Sequence, residues 1–218
     1  VDALVATEDS RFYQHNGFDA PRFLKATVGQ LLGHSDAGGA STLSMQVIKN
    51  SFTSTVSGGF AGIVRKFTDI YLAVFKLEKH YSKDEILEFY VNNHFLGGNV
   101  YGVQEASREY FGKDVTDLNL SEAATLAGMF KSPNYYRPNA NPKNATNRRN
   151  TVLYLMKKHG YITKEEYDLA KSIPVDSLTA EESTASTSNY QGYIDTVVDE
   201  VEEKYGVNAY TTPLLIYT

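Results

Sequence analysis

The feature that most constrains this chain is a series of amphipathic helix patterns with capping signals. Apolar residues recur at intervals of three and four, and several of the segments begin with a capping residue or end at a glycine. These patterns lie at 19–32, 66–78, 82–90, 121–130, 141–156 and 163–166, with a last one over 190–201. Almost no alternating strand pattern precedes Pro213. The sequence therefore predicts an all-α fold.

Composition excludes several classes of protein. Among 218 residues, 21 Lys and Arg stand against 26 Asp and Glu, a net charge of −5 that argues against general nucleic-acid binding. The absence of cysteine excludes disulfides, thiolate catalysis and zinc–thiolate sites. No Walker A, GxGxxG or HExxH motif occurs, so nothing indicates an organic cofactor or a zincin site.

The segment "EDSRFYQHNG", Glu8 to Gly17, does not fit a core-forming role. Its first carboxylate is a candidate general base or acid, with Phe12 and His15 packing the turn that aims it. The alternative is a helix terminus with solvated charges. The segment alone does not decide between the two.

Two later segments have the character of an anion site. In "GGASTLSMQVIKN", glycines lead through Ser41 and Thr42 into a helix, where backbone N–H groups and hydroxyls can bind an anion, and Lys49 lies two turns on. In "RKFTD", Arg65 and Asp69 share a helix face. The alternatives are a flexible loop before an ordinary capped helix and a surface ion pair.

These segments, in this order, resemble the motifs of the peptidoglycan glycosyltransferases of family 51, the transglycosylase domain of class A penicillin-binding proteins. The matching residues of the first three motifs are Glu8, Asp9, Phe12, His15, Gly17, Gly39, Ser41, Thr42, Gln46, Lys49, Asn50, Arg65 and Lys66. The fourth motif is complete at Lys83, Ile86, Leu87, Glu88, Tyr90 and Asn92. Two positions depart from the pattern: Met45 replaces a Gln, and Asp69 replaces a Glu.

The resemblance implies a lysozyme-like helical domain with a smaller jaw that contacts the membrane. It assigns residues 1–206 to this domain and 207–218 to the start of a linker toward a transpeptidase domain. The two ends read as mid-chain sequence, so we expect a segment of a longer protein. That protein would be anchored by an N-terminal helix at the outer face of the bacterial cell membrane.

The resemblance also implies the reaction, which is polymerisation of lipid II into β-1,4 glycan strands with inversion and release of undecaprenyl diphosphate. Glu8 would be the general base, and Asp69 would inherit the role of the second catalytic carboxylate. Residues expected to bind substrate or diphosphate are Asp9, Phe12, His15, Ser41, Thr42, Gln46, Lys49, Arg65, Lys66 and Asn92.

The expected cofactor is a divalent cation, Mg²⁺ or Mn²⁺, with Asp69 as a ligand and no organic cofactor. The expected partners are lipid II, the growing glycan chain, the membrane surface, the transpeptidase domain and inhibitors of the moenomycin type, with no nucleic acid. The uncharged, apolar region from Phe52 to Ile63 is the expected membrane contact.

Two alternatives stay open. A lysozyme-like lytic enzyme would share the fold and a catalytic Glu but would have no diphosphate to bind. A degenerate, non-catalytic scaffold that binds lipid II is motivated by Met45 and Asp69, whereas the intact Glu8 argues against it.

Overall fold

The protein, seen here in a computed structural model, is helical throughout the described residues, which are 1–31, 39, 41–52, 58–180, 196–197, 200–201 and 203–206. The α-helices of this part are α1 (Asp2–Glu8), α2 (Ala20–Leu31), α3 (Leu43–Ser51), α4 (Gly59–Leu72), α5 (Glu78–His80), α6 (Lys83–Asn93), α7 (Val103–Phe111), α8 (Leu120–Met129), α9 (Pro142–Lys158) and α10 (Lys164–Ser172). Two short 3₁₀ turns, Phe12–Gln14 and Val115–Asp117, and an isolated bridge between Phe95 and Tyr101 accompany them. The prediction of an all-α fold is confirmed, whereas the expected membrane-contacting jaw stays a prediction.

The hydrophobic core of residues 1–179 forms where α8 packs against α9 and both pack against α1. Helix α8 is buried along nearly its whole length, as expected of a helix without a polar face. Its partners contribute buried side chains at Leu4, Val5, Val152, Leu153 and Met156. Because α1 is fixed by this packing, the residue at its C-terminal end is held in one place.

Helix starts follow the capping signals of the sequence. Complete capping boxes join Ser82 to Glu85 and Thr163 to Glu166, as predicted. A third box caps α8 at Asn119, so that the helix begins at Leu120, one residue before the predicted start at 121. Helix α2 begins after Asp19, whose carboxylate accepts a hydrogen bond of 2.9 Å from the backbone N–H of Arg22.

The predicted helix over 66–78 is part of a longer helical rod. It begins at Gly59, and a π-helical segment, Ala73–Leu77, joins α4 to α5. Much of its apolar stripe does not face the core: the large side chains that are exposed are Phe60, Ile63, Val64, Phe67, Tyr71 and Phe75. The apolar repeat of α2 is also partly exposed, at Leu24 and Val28.

The chain divides into two units, residues 1–179 and 180–218. In the second, the described residues between 196 and 205 have helical backbone. Most of the predicted helix over 190–201, and all of the predicted linker over 207–218, lie outside the described residues. The described part contains no helix with the length and apolarity to cross a membrane.

Gly17 is a backbone requirement of the first motif and generates a testable prediction. Its φ is +84°, and a Cβ there would lie 2.9 Å from the carbonyl carbon of Ala73 in the π-helical segment. We expect Gly17→Ala to lower the free energy of unfolding by about 3 kcal/mol, because left-handed strain adds to a forced displacement of packed backbone. Urea denaturation followed by circular dichroism measures the change.

The matched control is Gly160→Ala. Gly160 has a similar φ of +79°, but a Cβ there would meet nothing within 4 Å, so only the backbone strain of about 1 kcal/mol applies. Equal losses for the two variants would show that the contact with Ala73 has no energetic weight.

Candidate active site

Glu8 is the last residue of α1, and its side chain is 19% exposed. The residues before it, Ala3 to Ala6, are buried in the core, which fixes the direction in which the helix ends. The Glu8 Oε1 atom lies 3.4 Å from Nη2 of Arg148, a residue of α9. Arg148 also donates to the carbonyl of Gly128 and lies over the ring of Tyr136. The guanidinium is therefore held from several sides and can orient the carboxylate.

Asp9 is fully buried and joins the segments around Glu8. One carboxylate oxygen lies 3.0 Å from Nε2 of His15 and accepts a hydrogen bond of 3.0 Å from the backbone N–H of Leu43 at the start of α3. The other accepts from Nη1 of Arg22, on α2, at 3.3 Å. A buried carboxylate is stable only when such partners compensate for lost solvation. Asp9 therefore ties the end of α1 to α2 and α3.

Phe12 and Thr42 hold the same region from inside. Phe12 is fully buried, lies edge-on to the His15 ring, and carries the Lys83 ammonium 4.3 Å from its ring centre. The hydroxyl of Thr42 donates to the carbonyl of Gly17 at 2.7 Å and accepts from the backbone N–H of Met45. These contacts make both side chains part of the scaffold behind the site.

A small cleft beside α3 and α4 brings together six of the predicted site residues. It measures about 190 Å³ and is lined by Ser41, Met45, Gln46, Lys49, Arg65, Lys66 and Asp69. Three of these side chains are cationic and one is a carboxylate. Asp69 is 4% exposed, so it does not lie on an open helix face. The other predicted residues line no part of this cleft: Asp9, Phe12, His15 and Thr42 pack beneath the surface, and Asn92 is exposed.

The electrostatics of this cleft favour an anionic ligand. The Nε and Nη1 atoms of Arg65 are buried and have no hydrogen-bond partner. Burial lowers the pKa of Lys66, and the charges of Arg65 and Lys49 act in the same direction, while Asp69 opposes them. Crowded cations and unsatisfied N–H groups are both costly. A phosphate group would relieve both costs at once.

A hydrogen bond connects the cleft to the surroundings of Glu8. The hydroxyl of Tyr90, on α6, donates to the side-chain oxygen of Gln46 at 3.0 Å. Burial raises the pKa of Tyr90, and the negative charge of Glu8 adds to the shift. The phenol therefore stays protonated and remains a donor. Tyr90 thus contacts Gln46 of the cleft and lies within electrostatic reach of Glu8.

A metal ion has a partial fit in the cleft. Across the described residues, no three His, Asp or Glu side chains come together in a way that could hold one. Asp69 alone could supply a carboxylate among the cleft residues. Because Mg²⁺ is commonly bound through one or two carboxylates and the phosphates of a substrate, the donor set suits Mg²⁺ only together with a phosphorylated ligand.

Several residues of this region escaped the sequence analysis as site residues. Arg148 lies 140 residues along the chain from Glu8, and no local sequence signal marks it as the partner of that carboxylate. Glu78, on α5, accepts from Ser44 of α3 and, at 2.7 Å, from Lys83 of α6, which holds these three helices together. Its capacity for this role has no local sequence signal, because the partners come from different helices.

The chain is similar in sequence to known proteins. A family model described as "Transglycosylase" matches residues 1–157. The chain is 42% identical over 220 residues to penicillin-binding protein 1A of Streptococcus oralis, an alignment that covers 100% of this chain and 34% of that protein. It is 40% identical over 222 residues to penicillin-binding protein 1A/1B of Bacillus subtilis, covering 100% and 24%. The chain thus spans about a third or less of the length of these curated relatives.

A crystal structure of penicillin-binding protein 1A from Haemophilus influenzae is also similar. It is 30% identical, with a TM-score of 0.47, over 76% of this chain and 20% of that one.

The Asp9 network generates the prediction of this section. Asp9→Asn should lower the free energy of unfolding by about 2–3 kcal/mol, because the neutral amide removes the charge that pairs with Arg22 and replaces one of the two acceptor oxygens by a donor. Asp168→Asn is the control, since Asp168 forms an ion pair with Lys164 on the exposed surface, where such pairs contribute little. Urea denaturation of both variants provides the comparison, and similar losses would contradict the role given to Asp9.

Proposed function

Because the chain belongs to the transglycosylase family found in class A penicillin-binding proteins, we propose that it polymerises lipid II into β-1,4 glycan strands in bacterial cell wall synthesis. The observation that carries the proposal is the presence of one partly exposed carboxylate, Glu8, together with a cationic cleft, with Tyr90 bonded to Gln46 of the cleft and within electrostatic reach of Glu8. The first group suits proton transfer and the second suits a diphosphate.

In the proposed reaction, Glu8 removes the proton from the 4-hydroxyl of the acceptor sugar. The oxygen attacks the anomeric carbon of the donor from the face opposite the diphosphate, so the new glycosidic bond forms as the carbon–diphosphate bond breaks, with inversion. Arg148 holds the carboxylate in position. The contact of 3.4 Å is consistent with orientation rather than a tight ion pair.

The cationic cleft acts on the leaving group. As the bond breaks, negative charge accumulates on the diphosphate, and Lys49, Arg65 and Lys66 lie together where they can stabilise it. Lys66 is partly desolvated, which lowers its pKa. Because electrostatic attraction is stronger where water is excluded, this setting also strengthens the interaction of the ammonium with the diphosphate. Ser41 and Gln46 add hydrogen-bonding groups to the same lining.

The family's general dependence on divalent cations bears on Asp69. We propose that Asp69 supplies a carboxylate ligand to Mg²⁺ or Mn²⁺, with the remaining ligands from the diphosphate. When bound, such a cation would neutralise charge on the leaving group. Asp69 and Lys66 line the same cleft, and we propose that the carboxylate also orients the ammonium.

The whole protein's setting is part of the same proposal. Relatives of which this chain covers 24–34% carry the name penicillin-binding protein, which supports a C-terminal transpeptidase domain as partner. We further propose an N-terminal anchor and a site of action at the outer face of the bacterial membrane. Inhibitors of the moenomycin type, which carry a phosphate, would compete for the cationic cleft.

The alternatives differ in their chemistry at this cleft. A lytic enzyme has no diphosphate to bind, so a cleft with three cations supports synthesis. The scaffold alternative rests on Met45 and Asp69. Met45 is 2% exposed and belongs to the hydrophobic core, and Asp69 keeps a carboxylate in the cleft lining, so neither departure removes the required chemistry.

The first functional prediction concerns Glu8→Gln. The variant should fold normally and lose about 100-fold or more of its rate of lipid II polymerisation, because an amide cannot accept the proton. Glu165→Gln, at an exposed position of α10, is the control and should retain full activity. If the Glu8 variant kept more than about a tenth of the wild-type rate, Glu8 would not be the general base.

The second functional prediction concerns Asp69. Asp69→Asn should lose most activity, because it removes the charge that orients either a cation or Lys66. Asp69→Glu should keep or raise activity, since the neighbouring residues match a site that usually holds Glu. The measurement is polymerisation across a magnesium titration, and a fully active Asp69→Asn variant would remove this residue from the catalytic machinery.

The third prediction concerns the membrane. Phe52 and Phe60 are exposed, and the apolar stripe of α4 continues from Phe60 along the same helix. We expect Phe52→Ser combined with Phe60→Ser to weaken partitioning to liposomes about tenfold or more, because each Phe loses an apolar contact of about 1.5–3 kcal/mol at most.

Leu169→Ser combined with Tyr154→Ser is the matched control, because these side chains are also large, apolar and exposed but lie on α9 and α10. Partitioning of the control should equal that of the wild type. Equal weakening of both double variants would indicate a general loss of hydrophobicity in place of a defined membrane surface.

A further inference from the structure

A second and larger pocket lies away from the cationic cleft. It measures about 420 Å³ and is formed by α1, the turn after it, the start of α2 and the end of α9. Its lining is Ala6, Thr7, Ser10, Arg11, Asp19, Pro21, Arg22, Lys25, Leu155, Lys158 and His159. We call it the rear pocket. It shares no residue with the cleft that holds Arg65, and its volume lies in the range of small-molecule sites.

The rear pocket concentrates positive charge in an acidic protein. Its lining contains two Arg, two Lys and one His against one carboxylate, while the whole chain has a net charge of −5. Asp19 is committed to Arg11 and to the backbone N–H of Arg22. Although burial opposes the charged form, these bonds hold the pKa of Asp19 below its ordinary value. Its charge is therefore already balanced.

The remaining cations of the pocket divide into two groups. Arg22 is balanced by Asp9 and also donates to the carbonyl of Gly39. Among the described residues, no ion pair or side-chain hydrogen bond involves Lys25, Lys158 or His159. Two lysine charges are thus left for a ligand: Lys25 lies on α2, and Lys158 is the last residue of α9.

We propose that the rear pocket binds a phosphate ester, whose two negative charges are matched by Lys25 and Lys158. A phosphate monoester carries close to two charges at neutral pH and several acceptor oxygens, whereas a carboxylate would match only one of the lysines. Ala6, Pro21 and Leu155 give the pocket an apolar wall for the organic part of the ligand. The ester is a monoester, either a soluble phosphorylated compound or the terminal phosphate of a lipid such as phosphatidic acid.

The pocket shares a residue with the catalytic region. Arg22 lines the rear pocket and donates to Asp9, the residue after Glu8. A ligand phosphate that contacts Arg22 would therefore weaken or shift the bond from Arg22 to Asp9, which helps to fix the end of α1. This proposal is independent of the glycosyltransferase activity, because it requires neither the Arg65 cleft nor the carboxylate of Glu8.

The test is a titration of the purified protein with inorganic phosphate at fixed pH and constant ionic strength, followed through the NMR signals of the His159 ring. We expect a saturable shift in the wild type. Lys25→Gln combined with Lys158→Gln should raise the apparent Kd at least tenfold. The control, Lys76→Gln combined with Lys143→Gln, removes the same charge at exposed positions outside both pockets and should leave the Kd unchanged.

Two further experiments determine which pocket binds phosphate and whether the phosphate comes from a lipid. Arg65→Ala should leave the phosphate-induced shift of the His159 signals unaltered, because Arg65 lines the cationic cleft and not the rear pocket. Vesicles of phosphatidic acid test the lipid source: binding that depends on Lys25 and Lys158, without a response to free phosphate, assigns the pocket to a headgroup. The proposal is overturned if neither phosphate nor these vesicles distinguishes the Lys25/Lys158 variant from the control variant.

Discussion

The buried carboxylate of Asp9 is the interaction on which the rest of the site depends. It joins the end of α1 to His15, to Arg22 on α2 and to the first backbone N–H of α3. Glu8 precedes it in the chain, and α3 carries Gln46 and Lys49 into the cleft. One desolvated charge therefore fixes both the base and half of the anion site, and its own cost of burial is offset only in this arrangement.

The site separates two kinds of electrostatic task. At the end of α1, a single carboxylate faces one guanidinium and remains partly accessible, which suits a group that must accept a proton. In the cleft, three cations share one carboxylate and part of Arg65 is unsatisfied, which suits a ligand with high negative charge. Tyr90 lies between the two tasks electrostatically: it donates to Gln46 of the cleft, and the charge of Glu8 helps to raise its pKa.

The sequence predicted those parts of the molecule whose signals are local. The capping boxes at Ser82 and Thr163 and the buried helix α8 follow from spacing alone, and six of the predicted site residues line one cleft. Arg148 could not be predicted, because its contact with Glu8 depends on the packing of α9 against α1. The exposure of the α4 stripe beyond Ile63 could not be predicted either, since periodicity identifies a shared face but not what covers it. Which residues bind substrate stays a prediction.

Product analysis of the wild-type protein with purified lipid II tests the central claim most directly. The account predicts conversion of lipid II into glycan polymer, with one undecaprenyl diphosphate released for each disaccharide added and the new bonds in the β-1,4 configuration. The polymer would be resolved by gel electrophoresis and digested by a muramidase. A correctly folded protein that binds lipid II without forming polymer, or that shortens preformed glycan strands, would contradict it.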